Sequence, residues 1–160
     1  MLPKEKCVGH SLTHLVVGNM IRVLLAQFSL ETHSRGIITV AHYLRDSGME
    51  VILMGNGTPK QIINTAIAES ADIVGISTYC GGELVLSEQL IREAEQYGVK
   101  EDFGFIIGGV FPQSDIPKLS KLGFGGVFLS ATKSEIVCCV KKMLKGEVKN
   151  GLKGTVKLLR

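Results

Sequence analysis

The sequence predicts an α/β domain on a doubly wound, five-stranded parallel sheet. Short apolar runs alternate five times with amphipathic helical stretches. The runs are rich in branched residues and too short for core helices. A chain of 160 residues, 45% of them apolar, suits one core of ordinary size.

Ile21–Gln27 reads as the first strand. Ile37, Val40, Ala41 and Leu44 then recur at helical spacing, with Gly48 as a stop. A second strand is expected at Val51–Met54, with Gly55-Asn56-Gly57 as a plain turn. Thr58-Pro59 supplies an N-cap and a first-turn proline, and Ile62, Ile63, Ala66 and Ile67 an apolar face. Ile73–Ser77 is the third strand, and a helix runs from about Glu83 to Tyr97, ending at Gly98. Phe105–Ile107 is the fourth strand, followed by a short helix capped by Ser114 and carrying Ile116 and Leu119. Val127–Leu129 is the fifth. Thr132 or Ser134 starts a last helix, whose inner face is Ile136, Val140, Met143 and Leu144. Strict alternation implies right-handed crossovers and a flavodoxin-like (Rossmann-like) strand order.

Residues 20–146 therefore form the domain, with 1–19 as an N-terminal extension and 147–160 as a basic tail. Lys149, Lys153, Lys157 and Arg160 stand against Glu147 alone, and account for much of the net +3 charge. No aromatics interleave with those cations, so there is no stacking platform for nucleic acid. No apolar run reaches 18 residues, and His10 and His14 interrupt the only stretch resembling a signal peptide. Neither a nucleic acid nor a membrane partner is expected. Cys7, Cys80, Cys138 and Cys139 form no C-x-x-C pair. Free, core-filling thiols in a reducing, cytoplasmic compartment are the simplest reading.

In such a sheet, ligands bind outside the carboxyl ends of the strands. That rule selects Phe28–Gly36, Ser77–Gly82, Gly108–Pro112 and Ser130–Thr132, all rich in small or polar residues. Phosphate-loop and dinucleotide glycine patterns are absent. A phosphoacceptor receiver domain needs acids clustered after the first strand, where only Glu31 lies. The segment Glu31-Thr32-His33-Ser34-Arg35-Gly36 is different. It places a histidine at the binding edge, with a carboxylate two residues earlier that can hold one ring nitrogen and raise the basicity of the other toward a metal.

E-T-H-S-R-G resembles the D-x-H-x-x-G signature of cobalamin-binding domains, particularly the methylmalonyl-CoA mutase type. Ser77-Thr78-Tyr79, within VGISTYCGG, stands where that family has S-x-L. Gly108-Gly109, within IIGGVFPQSD, resembles its VGGVIP-x-x-D. The similarity spans about residues 20–144. It implies that cobalamin binds with its benzimidazole displaced and His33 as the lower cobalt ligand. The released nucleotide tail would enter a slot between the first helix and the sheet. Ser77 would bond the buried base, and Gly108 and Gly109 would leave room for the tail. Thr32, Ser34, Arg35, Gly36 and Gly81 would border the cofactor, and Phe128 and Thr132 would line the tail.

There are three departures from the family pattern. Glu31 replaces Asp, Tyr79 replaces Leu, and Leu129-Ser130-Ala131-Thr132 replaces T-P-G-T. Aspartate at position 31 is expected to be tolerated or to improve binding.

The resemblance thus implies the small subunit of an adenosylcobalamin-dependent acyl-CoA mutase, an intramolecular transferase. Adenosyl is favoured over methyl as the upper ligand. No catalytic residue is assigned to this chain. The acyl-CoA and the radical rearrangement would be housed by a large (β/α)₈-barrel subunit. The docking edge would be rimmed by Phe28, Leu30, Arg35 and Tyr79. The alternatives are a corrinoid carrier for methyl transfer, which usually has a helical cap before the domain, and a non-catalytic cobalamin escort.

Overall fold

The computed structural model describes residues 20–146, so the expected extension (1–19, with Cys7) and basic tail (147–160) lie outside the described residues. The strands are β1 (Arg22–Phe28), β2 (Glu50–Gly57), β3 (Ile73–Thr78), β4 (Gly104–Gly109) and β5 (Phe124–Phe128). The helices are α1 (Arg35–Arg45), α2 (Pro59–Ala68), α3 (Glu83–Gln96), α4 (Ile116–Leu122) and α5 (Lys133–Leu144). All strand pairs are parallel, in the order β2-β1-β3-β4-β5. This is the flavodoxin-like order expected from the sequence, with its switch point between β1 and β3.

Strand alternation builds the two layers. Val23 and Leu25 of β1 point to one face, with Ile37, Leu44, Ile136 and Val140 of α1 and α5. Leu24, Ala26 and Phe28 point to the other, with Ile62 and Ile63 of α2, Leu90 and Ile91 of α3 and Leu119 of α4. Three helices cover one face and two cover the other, and the two-helix face holds the cleft described below.

Several boundaries move. β2 runs on through Gly55-Asn56-Gly57, which the sequence suggested was a turn, because a register shift opposite Leu25/Ala26 lets Asn56 and Gly57 pair with Gln27 and Phe28. β5 begins at Phe124 and stops before Leu129, since Gly125 and Gly126 pack under Met143 and Phe128. A 3₁₀ turn, Gln113–Asp115, precedes α4, so Asp115 rather than Ser114 occupies its N-cap. Ile67 is 41% exposed, which leaves the inner face of α2 to Ile62, Ile63 and Ala66. Phe28 is buried and cannot rim a docking edge. Cys138 is exposed and Cys139 half-buried, so these thiols do not fill the core as expected.

Gly109 has a structural task of its own. Its φ is +153°, and a Cβ there would sit 1.7 Å from the Thr78 carbonyl oxygen, a backbone atom of the paired strand. Gly109→Ala should force β3 and β4 apart at their ends and cost roughly 3 kcal/mol or more. That lowers the thermal midpoint by about 10 °C. Thermal unfolding of the variant measures it, and an unchanged midpoint would mean that the strand ends relax freely.

Candidate cobalamin site

The loop from β1 to α1 and the loop from β3 to α3 meet over the switch point. Glu31 joins them. Its side chain is buried, and Oε1 accepts from the backbone N–H of Thr32 and of His33, each at 2.9 Å. The same oxygen lies 2.8 Å from His33 Nδ1. Oε2 accepts from the N–H of Tyr79 and, at 3.1 Å, from that of Cys80. Burial pushes the Glu31 carboxyl upward, but the hydrogen bonds from His33, Tyr79 and Cys80 outweigh it and hold the pKa at about 2. A carboxylate lowered from 4.5 to about 2 stabilises the fold fully above pH 4.5 and loses that contribution as pH falls toward 2. The Tyr79 and Cys80 amide resonances should therefore hold their positions down to pH 4.5 and titrate only below it. A midpoint near 4.5 would mean that Glu31 is an ordinary exposed carboxylate.

His33 is set by this arrangement. With Nδ1 on the Glu31 carboxylate, Nε2 is the nitrogen left for a ligand, and the side chain is 63% exposed. Gln27, buried at the end of β1, donates from Nε2 to the His33 carbonyl oxygen at 2.9 Å. Asn56, at the end of β2, donates to the Glu31 carbonyl oxygen. Neither residue is identified by the sequence reading. Asn56 falls in a segment taken there for a turn, and Gln27 in a strand read only for its apolar positions.

Below His33 a cleft of about 510 Å³ opens between α1, β3, β4 and the start of α5. Of the residues expected at the site, His33, Arg35, Gly36, Ser77, Tyr79, Gly108, Gly109 and Phe128 line it. Leu25, Ile37, Val40 and Ile106 make its floor apolar, while Thr39, Tyr43, Ser77 and Ser130 offer hydroxyls. The volume falls within the range of roughly 300–1,000 Å³ usual for small-molecule sites. A Cβ at Gly36 would lie 2.6 Å from the Tyr79 hydroxyl, so a larger residue there would have to push the exposed end of that ring aside. The Tyr79 ring also stands against His33, with centroids 5.5 Å apart and planes tilted by 36°.

Other expected residues do different work. Glu31, Thr32, Ser34, Gly81 and Thr132 do not line the cleft. Thr132 N-caps α5 in a capping box with Glu135, one of the two helix starts expected from the sequence. Gly81, at φ +81°, and Gly82 turn the chain into α3. Ser34 occupies the N-cap of α1 without a side-chain cap bond.

The model of the B12 binding domain matches residues 21–136, most of the chain. The chain belongs to the B12-binding domain family. Within that family it is similar to the 2-hydroxyisobutanoyl-CoA mutase small subunit of Aquincola tertiaricarbonis. The two are 39% identical over 118 residues, covering 73% of this chain and 86% of the relative. It is also 34% identical over 122 residues to the pivalyl-CoA mutase small subunit of Xanthobacter autotrophicus, covering 75% of this chain and 81% of that one. Among solved structures, a novel cobalamin-binding protein from Desulfitobacterium hafniense superposes with a TM-score of 0.66 at 21% identity. That match covers 76% of this chain and 58% of the other, and it bears on the fold. The fold thus gathers His33, Ser77, Gly108 and Gly109 around one cleft. The residues lining that cleft suit a cofactor with a bulky apolar base and a polar tail.

Proposed function

We propose that this chain is the cobalamin-binding small subunit of an adenosylcobalamin-dependent acyl-CoA mutase, with His33 on cobalt in place of the cofactor's own base. The observation that carries the reading is the Glu31-braced imidazole, with one nitrogen left over, at the rim of a glycine-bordered cleft. The names of the two small-subunit relatives support the mutase assignment. When bound, the cofactor supplies the radical chemistry.

The chain's own residues would hold and orient it. Glu31 fixes the His33 tautomer. Ser77 would bond the displaced base in the cleft, with Thr39, Tyr43 and Ser130 as further partners for the tail. Arg35 and Gly36 would border the corrin. A large barrel subunit would carry the acyl-CoA. Among the described residues no helix is long and apolar enough to cross a membrane, and the reading places the protein in the cytoplasm.

An absorption titration of cobalamin into wild type and His33→Ala tests the assignment. Wild type should convert the cofactor to the spectrum of a base-off, histidine-ligated corrinoid. His33→Ala should give a base-off species without that ligand, or no binding. Identical bound spectra in the two proteins would exclude His33 as the cobalt ligand.

A further inference from the structure

We propose that Glu31, His33 and Cys80 form a binding site for a zinc-like divalent cation in the cobalamin-free chain. A carboxylate oxygen, Nδ1 and Sγ from these three residues lie within 4.8 Å of one another. Nδ1 is 2.8 Å and Sγ 3.4 Å from the same oxygen, Glu31 Oε1. Two donor hydrogens thus converge on one oxygen, and a cation held by all three atoms would take their place.

The donor set selects the metal class. Thiolate, imidazole and carboxylate together suit zinc, whereas calcium and magnesium take oxygen alone. Tetrahedral zinc, with bonds of about 2.3 Å to sulfur and about 2.0 Å to nitrogen, puts those two ligand atoms about 3.5 Å apart. That spacing fits inside the observed cluster. Four backbone amides already aim the Glu31 carboxylate at this point. Cys80 and His33 are exposed, so a fourth position stays open to water.

The proton balance is simple. Cys80 releases its thiol proton, and the His33 proton moves from Nδ1 to Nε2. The cluster then changes from one net negative charge to neutral. A protonated Nε2 cannot ligate cobalt, so a zinc-loaded chain should be closed to cobalamin through His33. This last consequence rests on the cobalamin reading above, whereas the metal site itself does not.

The test is a titration of the cobalamin-free 160-residue chain with Co²⁺, a spectroscopic stand-in for zinc. Wild type and Cys138→Ser should develop a thiolate-to-cobalt charge-transfer band that zinc abolishes. Cys80→Ser should lose the band, and His33→Ala should weaken binding by roughly tenfold or more. Cys80 is exposed, so its serine variant should fold as wild type does. No band in wild type, or an equal band in Cys80→Ser, would overturn the site. Zinc that leaves cobalamin uptake unchanged would overturn the mutual exclusion. Because the Co²⁺ titration contains no corrinoid, its failure leaves the His33–cobalamin assignment standing, and the reverse also holds.

Discussion

Replacing Glu31 by Gln should weaken His33-ligated cobalamin binding by roughly ten- to a hundred-fold, the range for losing the partner of a ligating imidazole. The substitution keeps the shape of the side chain but removes its charge and one acceptor. Oε1 faces three N–H groups and Oε2 faces two. Whichever way the new amide turns, its NH₂ meets at least two donors, so a buried contact becomes a repulsion. Glu31→Asp should also fall below wild type. The sequence suggested that the shorter acid would be tolerated or improve binding, but the carboxylate here spans two loops. Shortened by one methylene, about 1.5 Å, it can keep His33 or the Tyr79–Cys80 amides, not both. Cobalamin titrations of the three proteins decide the matter, and equal affinities would reduce Glu31 to a loop charge.

The second large effect concerns turnover. With adenosylcobalamin and acyl-CoA, the 160-residue chain alone should give none, and adding a cognate large mutase subunit should restore it. The described residues form one sheet with its helices. A barrel of the kind that would surround an acyl-CoA takes about 250 residues. The loops after the strands expose Leu30 at 86%, Val110 at 63% and Tyr79, which lines the cleft, at 36%, and nothing in the described residues closes over them. A radical generated there would meet solvent, so a second subunit must exclude water. Measurable isomerisation by this chain alone would refute the two-subunit arrangement.

The architecture was legible because branched runs and helical periodicity are local signals, repeated five times. The fourth and fifth strands were misplaced at their ends for a common reason. Gly104, Gly125 and Gly126 carry no apolar side chain, so their place in the sheet is decided by neighbours such as Ile73 and Met143. The site was legible where chemistry and loop position coincide, as at Glu31 and His33. It was illegible where the contact crosses the chain. Nothing near Cys80 or Asn56 in sequence announces that each reaches Glu31, 49 and 25 residues away. Thr132 was legible in its local role, since a threonine three residues before Glu135 at a helix start reads as a capping box and is one.

The Glu31 carboxylate bonds at once to the loop after β1 and the loop after β3. Tying them in advance means that the imidazole is preorganised, with little rotational entropy left to lose on association. The Tyr79 ring, which lies against Gly36 and His33 and lines the cleft, is what an incoming cofactor would meet beside that imidazole. On this geometry, Glu31 would set how tightly cobalamin is held through how little His33 has to reorganise.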